Sequence, residues 1–141
     1  MSDISVDVDR FRQDGVLVVP GLLDEAEIIA LRAQAEWVAS GQAEHVASAR
    51  IQAEPRVACG EERADNYANS LRKMIHIAFC DEIFAAHASN RKILDVVEAL
   101  LGTDLRLYQD QLFMKPPRVG SRQPYTIRMR RWVFTSIHSI W

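Results

Sequence analysis

The spacing of apolar residues changes once along this chain, and the place of that change restricts the folds open to it. Before Gly102 the clearest apolar patterns recur at three- and four-residue intervals. After it, Leu105, Leu107, Gln109, Gln111 and Phe113 alternate with Arg106, Tyr108, Asp110, Leu112 and Met114. The first spacing belongs to helices and the second to a strand, because side chains share a face every 3.6 residues on a helix and every 2 on a strand. Lys115-Pro116-Pro117 stops the strand, since proline lacks the amide that would continue a ladder. Helices first and strands last is an α+β order. One strand cannot close a sheet, so the sheet has barely begun where this chain ends.

The helical part divides at its caps. Val6–Gln13 reads as a short helix, stopped at Asp14-Gly15 where glycine takes the left-handed cap. Val16-Leu17-Val18-Val19 is a short β-type run closed by Pro20-Gly21. Asp24 with Glu27 three positions on forms an aspartate version of the capping box. Ile28, Leu31, Ala35 and Val38 then recur on one helical face, which predicts a helix from Asp24 to about Ala39. Residues 41–69 show weak periodicity and read as a long, partly ordered connection of the kind often used as a lid. Residues 70–79 fit either period, with helix favoured. Asp81 caps a helix to Ala88. Asn90 caps another, with Ile93, Leu94, Val97, Leu100 and Leu101 as its apolar face and Gly102 as its stop.

Composition excludes more than it selects. A chain of 141 residues, 48% hydrophobic and 26% charged, suits one soluble domain with a core. A net charge of −2 gives no reason to expect nucleic acid or an anionic membrane as partner. Residues 1–125 carry 14 basic and 19 acidic side chains, a net of −5. The last sixteen carry Arg128, Arg130 and Arg131 and no acid, a net of +3. Three arginines do not make a nucleic-acid patch. Cys59 and Cys80 form no CxxC pattern and read as free thiols in a reduced compartment. The acidic N-terminus lacks a signal-peptide pattern, and no apolar run approaches the ~20 residues that span a bilayer, so a cytoplasmic protein is expected.

Two stretches carry a resemblance. DGVLVVPGLLD at 14–24, between a short and a long helix, and ILDVVEALLGTDLRLYQDQLFMKPPRVGSRQPY at 93–125 together resemble the N-terminal part of the phytanoyl-CoA dioxygenase family. The resemblance implies N-terminal helices packed on a double-stranded β-helix (a cupin-like jelly roll), incomplete here, in residues 1–125. It implies Fe(II) and 2-oxoglutarate as cofactors, and hydroxylation of a small molecule or an acyl thioester. Such iron sits on two histidines and one carboxylate, leaving positions open for cosubstrate and oxygen. The family's first two ligands form His-x-Asp directly after a Gln-Pro-aromatic element, which here is Gln123-Pro124-Tyr125. The next residue is Thr126, and no His-x-Asp occurs anywhere in the chain.

The tail 126–141 reads as out of frame. One permitted coding of Thr126–Trp141, read from its third nucleotide, yields HQDAPLGFHIDPFDM, which begins with the missing motif at the expected place. The chain is therefore expected to lack a metal site and catalytic residues, and to bind no cofactor as iron enzymes do.

Lys73, in the run LRKMIHIAF, matches by resemblance a lysine that reaches 2-oxoglutarate; an ammonium serves a carboxylate as a point charge. Gln109 and Gln111 fall on the face shared with Leu105, Leu107 and Phe113, where buried amides need partners that a cosubstrate or substrate would supply. Asp110 points to the other face, as an edge charge or a partner of Arg106. His76 and His87 are eleven positions apart, with no neighbour at ligating spacing, and read as structural; His45 falls in the connection and His138 in the tail. The competing function is a non-catalytic helical binding or dimerisation module that self-associates through the 104–114 edge, an aggregation hazard unless covered.

Overall fold

A computed structural model describes residues 6–121. The opening helix, α1 (Val8–Asp14), is capped by the Asp7 carboxylate on the Arg10 amide and ends at Gly15, whose φ of 67° is left-handed. The long helix, α2 (Glu25–Ala39), carries both halves of its capping box: Glu27 N donates to Asp24 Oδ1 at 2.9 Å, and Asp24 N to Glu27 Oε2 at 2.7 Å. Its inner face buries Leu31, Ala35, Val38 and Ala39, with Ile28 on the rim.

The connection after α2 is more ordered than its composition suggests. Ala43 and Val46 are buried, and the stretch contains β1 (Ile51–Ala53) and a four-residue helix, α3 (Pro55–Ala58), with proline in its first turn. Proline is at home there because a first-turn amide has no helical acceptor to lose.

Residues 70–79 are not helical as favoured above. They form β2 (Leu71–Ile75) followed by a 3₁₀ turn, Ile77–Phe79. The reason is a β-bulge. Gln52 pairs with Lys73 and Ala53 with Leu71, so Arg72 is the extra residue on β2. A bulge shifts the phase of alternation by one. Leu71 and Met74 are consequently both buried three apart, and Ile77, buried in the 3₁₀ turn that follows, extends the spacing into what mimics a helical face.

The third strand, β3 (Gln111–Phe113), completes an antiparallel sheet in the order β1-β2-β3. It is far shorter than the 105–114 run expected from alternation. The inward face is also the opposite one: Met74 pairs with Leu112, and Met114 is 4% exposed, whereas Phe113 is 49% exposed. Both parities of the run carry apolar residues, so alternation alone could not choose between them. The Val16–Val19 run forms no strand either. Val16 and Val18 are exposed, and an apolar run without a neighbouring strand to pair with has no ladder to join.

Two helices lie between β2 and β3 in the chain. In α4 (Glu82–Ala88), Asp81 caps the amides of Ile83 and Phe84; in α5 (Arg91–Leu101), Asn90 caps Lys92 and Gly102 ends the helix. Helix α4 packs on α2, and α5 lies against α1. Of the face predicted for α5, Leu101 is exposed, and the fully buried residue is Val96. Leu31, Val38, Leu71, Met74, Ile77, Phe84 and Met114 join in one core between the helices and the inner side of the sheet. Among the described residues the outer side of the sheet is only partly covered, with Gln52 and Phe113 exposed and Lys73, Ile75 and Gln111 half-buried. No helix among the described residues is long and apolar enough to cross a membrane.

Candidate functional site

The sheet register decides which predicted residues meet. Lys73 pairs with Gln52 on one side and Phe113 on the other, and Ile75 pairs with Gln111. Directly paired residues project from the same face, as do residues two apart on one strand. Gln52, Lys73, Ile75, Gln111 and Phe113 therefore share the outer face. The Lys73 ammonium lies 5.9 Å from the centroid of the Phe113 ring, within range of a cation–π contact. Among the described residues it has no carboxylate partner.

Gln111 is half-buried beside Ile75, in reach of the same face. Gln109 is exposed and precedes the strand, so it is not paired into the sheet. The apolar face first assigned to both glutamines is thus the solvent side. Their side chains do not have to find partners in a closed core. Asp110 does point the other way, but its partner is not Arg106. Its Oδ2 accepts from the amides of Ile77 and Ala78 at 2.8 and 3.2 Å, and its carbonyl accepts from His76 N at 3.0 Å. These bonds fasten the start of β3 to the turn after β2, where His76 adopts a left-handed φ of 55°.

Two buried carboxylates frame the region. Glu54, 0% exposed, pairs with Arg72 at 3.0 Å and accepts the Ser121 amide at 3.0 Å. Burial would raise its pKa, yet the Ser121 hydrogen bonds and the Arg72 charge together hold it below the ordinary value. Asp81, 3% exposed, accepts from Gln34, His45, and the amides of Ile83 and Phe84. Burial again opposes ionisation, but the His45, Phe84 and Gln34 hydrogen bonds outweigh it and lower the pKa. His45 stacks on Trp37 with ring centroids 5.2 Å apart. His87 is held below its ordinary value by burial, against the pull of the Glu27 carboxylate. Sequence offered no sign of the Glu54–Arg72 pair, because its partners come from three separated segments.

No group of three or more His, Cys, Asp or Glu able to hold a metal occurs among the described residues. The described side chains by themselves thus supply no donor set for a resident iron. Residues 126–141, including His138, lie outside the described residues. A cation on an open strand face, flanked by an amide and an aromatic ring, is instead suited to an anionic ligand with an apolar stem.

The family model for phytanoyl-CoA dioxygenase (PhyH) matches residues 11–132. The chain belongs to the phytanoyl-CoA dioxygenase family. The matched range includes the three strands described above and runs to Trp132. An ectoine dioxygenase of Stutzerimonas stutzeri (strain A1501) is 28% identical over 114 residues, which is 80% of this chain and 33% of that protein. The chain thus spans about a third of the length of the curated relative it matches. Phytanoyl-CoA dioxygenases are cupin-like oxygenases of the Fe(II)/2-oxoglutarate type. The α+β arrangement here, with its small antiparallel sheet, agrees with that class.

Proposed function

We propose that this chain is the N-terminal portion of an Fe(II)/2-oxoglutarate dioxygenase, with Lys73 and Gln111 on the 2-oxoglutarate side of an incomplete jelly roll. The observation that carries this reading is the Lys73 ammonium, which has no anionic partner among the described residues and shares a strand face with Gln111 and Phe113. A 2-oxoglutarate carboxylate would meet the ammonium as a point charge, and the Gln111 amide would orient it. Gln109, outside the strand, contributes from the approach to the site. The parent would hydroxylate a small molecule or an acyl thioester. This chain, without His-x-Asp, is proposed to be inactive and to hold no iron, so that 2-oxoglutarate would meet only Lys73 and Gln111 and bind weakly, not as a resident cofactor.

The tail 126–141 is proposed to be read out of frame. A coding sequence whose nucleotides after Tyr125 cannot yield His-x-Asp in another frame would sink that part alone. A millimolar, saturable shift of the Gln111 side-chain amide on adding 2-oxoglutarate, weakened about tenfold by Lys73→Ala, is expected in NMR titrations. An unchanged affinity in Lys73→Ala would remove Lys73 from the site.

A second reading, self-association through the strand edge, is favoured by one observation. Among the described residues β3 pairs only with β2, leaving its other edge open beside the exposed Tyr108 and Phe113. An unpaired edge is a template for another strand. Sedimentation of the same samples separates the readings: a concentration-dependent dimer abolished by Phe113→Lys supports the module, and a monomer that binds 2-oxoglutarate supports the oxygenase portion.

A further inference from the structure

Ser121 has both of its main-chain polar groups committed to one buried ion pair. Its amide donates to Glu54 Oε1 at 3.0 Å, and its carbonyl accepts from Arg72 Nη1 at 3.0 Å. The same nitrogen of Arg72 reaches Glu54 Oε2 at 3.0 Å. Glu54 is 0% exposed and the Arg72 side chain 12%. Burying such a pair carries a desolvation penalty that its mutual attraction offsets only in part. It is a weak device for stability. As a device for geometry it is strong, because charge-assisted bonds to both the amide and the carbonyl of one residue restrict that residue's position and its rotation.

The pair is itself held from behind. Arg72 is the bulged residue of β2, and a bulge re-aims a side chain relative to regular alternation. The Arg72 carbonyl accepts from Met114 N at 2.8 Å, and Glu54 N donates to Ser70 O at 2.7 Å. The approach to Ser121 is equally fixed. Gly120 N donates to Pro116 O at 3.1 Å, closing a tight turn. A Cβ on Gly120 would stand 2.8 Å from that carbonyl oxygen, so only glycine fits the turn without a shift. The bulge, the pair and the turn thus converge on a single backbone position.

We infer that Glu54 and Arg72 are positioning residues, which fix where the chain stands as it leaves Ser121 toward Gln123-Pro124-Tyr125. The importance of that exit rests on the proposed function, in which the first metal ligands belong directly after Tyr125; the clamp does not. Five extended residues reach about 17 Å, whereas a working site holds its groups to ~0.5 Å. The clamp at Ser121 sets the origin of that reach; holding groups beyond Tyr125 to such a tolerance needs further contacts in the parent. The role falls to Glu54 and Arg72 through the backbone of Ser121, without contact to any reacting atom.

Hydrogen exchange of the full chain tests the assignment, with the Ser121 amide compared against the amide of Val38 in the middle of α2. In Glu54→Gln, Ser121 is expected to exchange about tenfold faster while Val38 changes less than about twofold. Arg72→Lys, which keeps a cation opposite Glu54, is expected to give a smaller acceleration at Ser121. Parallel acceleration of both amides, in either variant, would show a general stabilising role and overturn the inference. So would an unprotected Ser121 amide in the unaltered chain. Failure of 2-oxoglutarate to shift Gln111 would leave this exchange result untouched, so the two readings fail separately.

Discussion

Met74→Ala is expected to destabilise the protein by about 2–5 kcal/mol, enough to unfold it at modest temperature. Met74 is 0% exposed at the middle of the central strand, paired with Ile51 on one side and Leu112 on the other. Its side chain joins the core that also contains Leu31, Val38 and Phe84 from the helices. Removing it deletes transfer free energy and leaves a cavity that a three-stranded sheet cannot collapse around. A loss of ~3 kcal/mol lowers the melting temperature by roughly 10–15 °C for a chain of this size. Met74→Leu, close in volume, should cost less than ~1.5 kcal/mol. Circular dichroism melts of both variants check the pair. Equal melting temperatures for Met74→Ala and the unaltered chain would mean that the sheet does not pack on the helices.

The second large effect is expected at Asp81. Its carboxylate, 3% exposed, caps the amides of Ile83 and Phe84 at the start of α4 and also binds Gln34 and His45. Asp81→Ala removes the cap and leaves the Gln34 amide without this acceptor, for a combined cost of about 2–4 kcal/mol. The pH dependence has a definite sign. Burial opposes the charged form, but the hydrogen bonds from His45, Phe84 and Gln34 prevail, so the folded pKa lies below that of an ordinary aspartate. A depressed carboxylate pKa stabilises the fold above the unfolded value, and that contribution is lost as pH falls through the folded one. Stability of the unaltered chain should therefore drop as pH falls below about 4, and Asp81→Asn should flatten that part of the profile. Glu54, also lowered, adds to the slope in the same sense. Denaturant melts between about pH 3 and pH 7 make the comparison. A profile for Asp81→Asn that parallels the unaltered chain would assign the acid sensitivity elsewhere.

Local signals made the helices legible. The Asp24–Glu27 capping box, the glycine after α1, and the aspartate and asparagine before α4 and α5 act within a few residues, and each appears in the structure. The strands depended on pairing, which no short window contains. The Arg72 bulge turned a two-residue alternation into intervals of three and disguised β2 as a helix. At β3 both parities were apolar, and only Met74 across the ladder selected Leu112 for the inside. Val16–Val19 showed the converse: a β-type composition without a neighbour to pair with.

The candidate site was legible in part for the same reason. Lys73 and Gln111 reach one face because the register sets Phe113 and Ile75 beside them. Gln109 was given the same role on an alternation that does not extend back into a ladder. Glu54 was invisible, since its meaning comes from Arg72 eighteen positions on and from the backbone of Ser121. For Asp110 the sequence offers an edge charge or a pair with Arg106, and the structure shows neither pairing with Arg106 nor a free edge carboxylate. Its carboxylate accepts from two amides of a turn, not from a neighbouring arginine.

Anaerobic titration of the full chain with ferrous iron, followed by addition of 2-oxoglutarate and oxygen, puts the central reading at greatest risk. A polypeptide with no His-x-Asp should show no stoichiometric iron and release no succinate. One tightly held ferrous ion per chain, with 2-oxoglutarate consumed on exposure to oxygen, would contradict it.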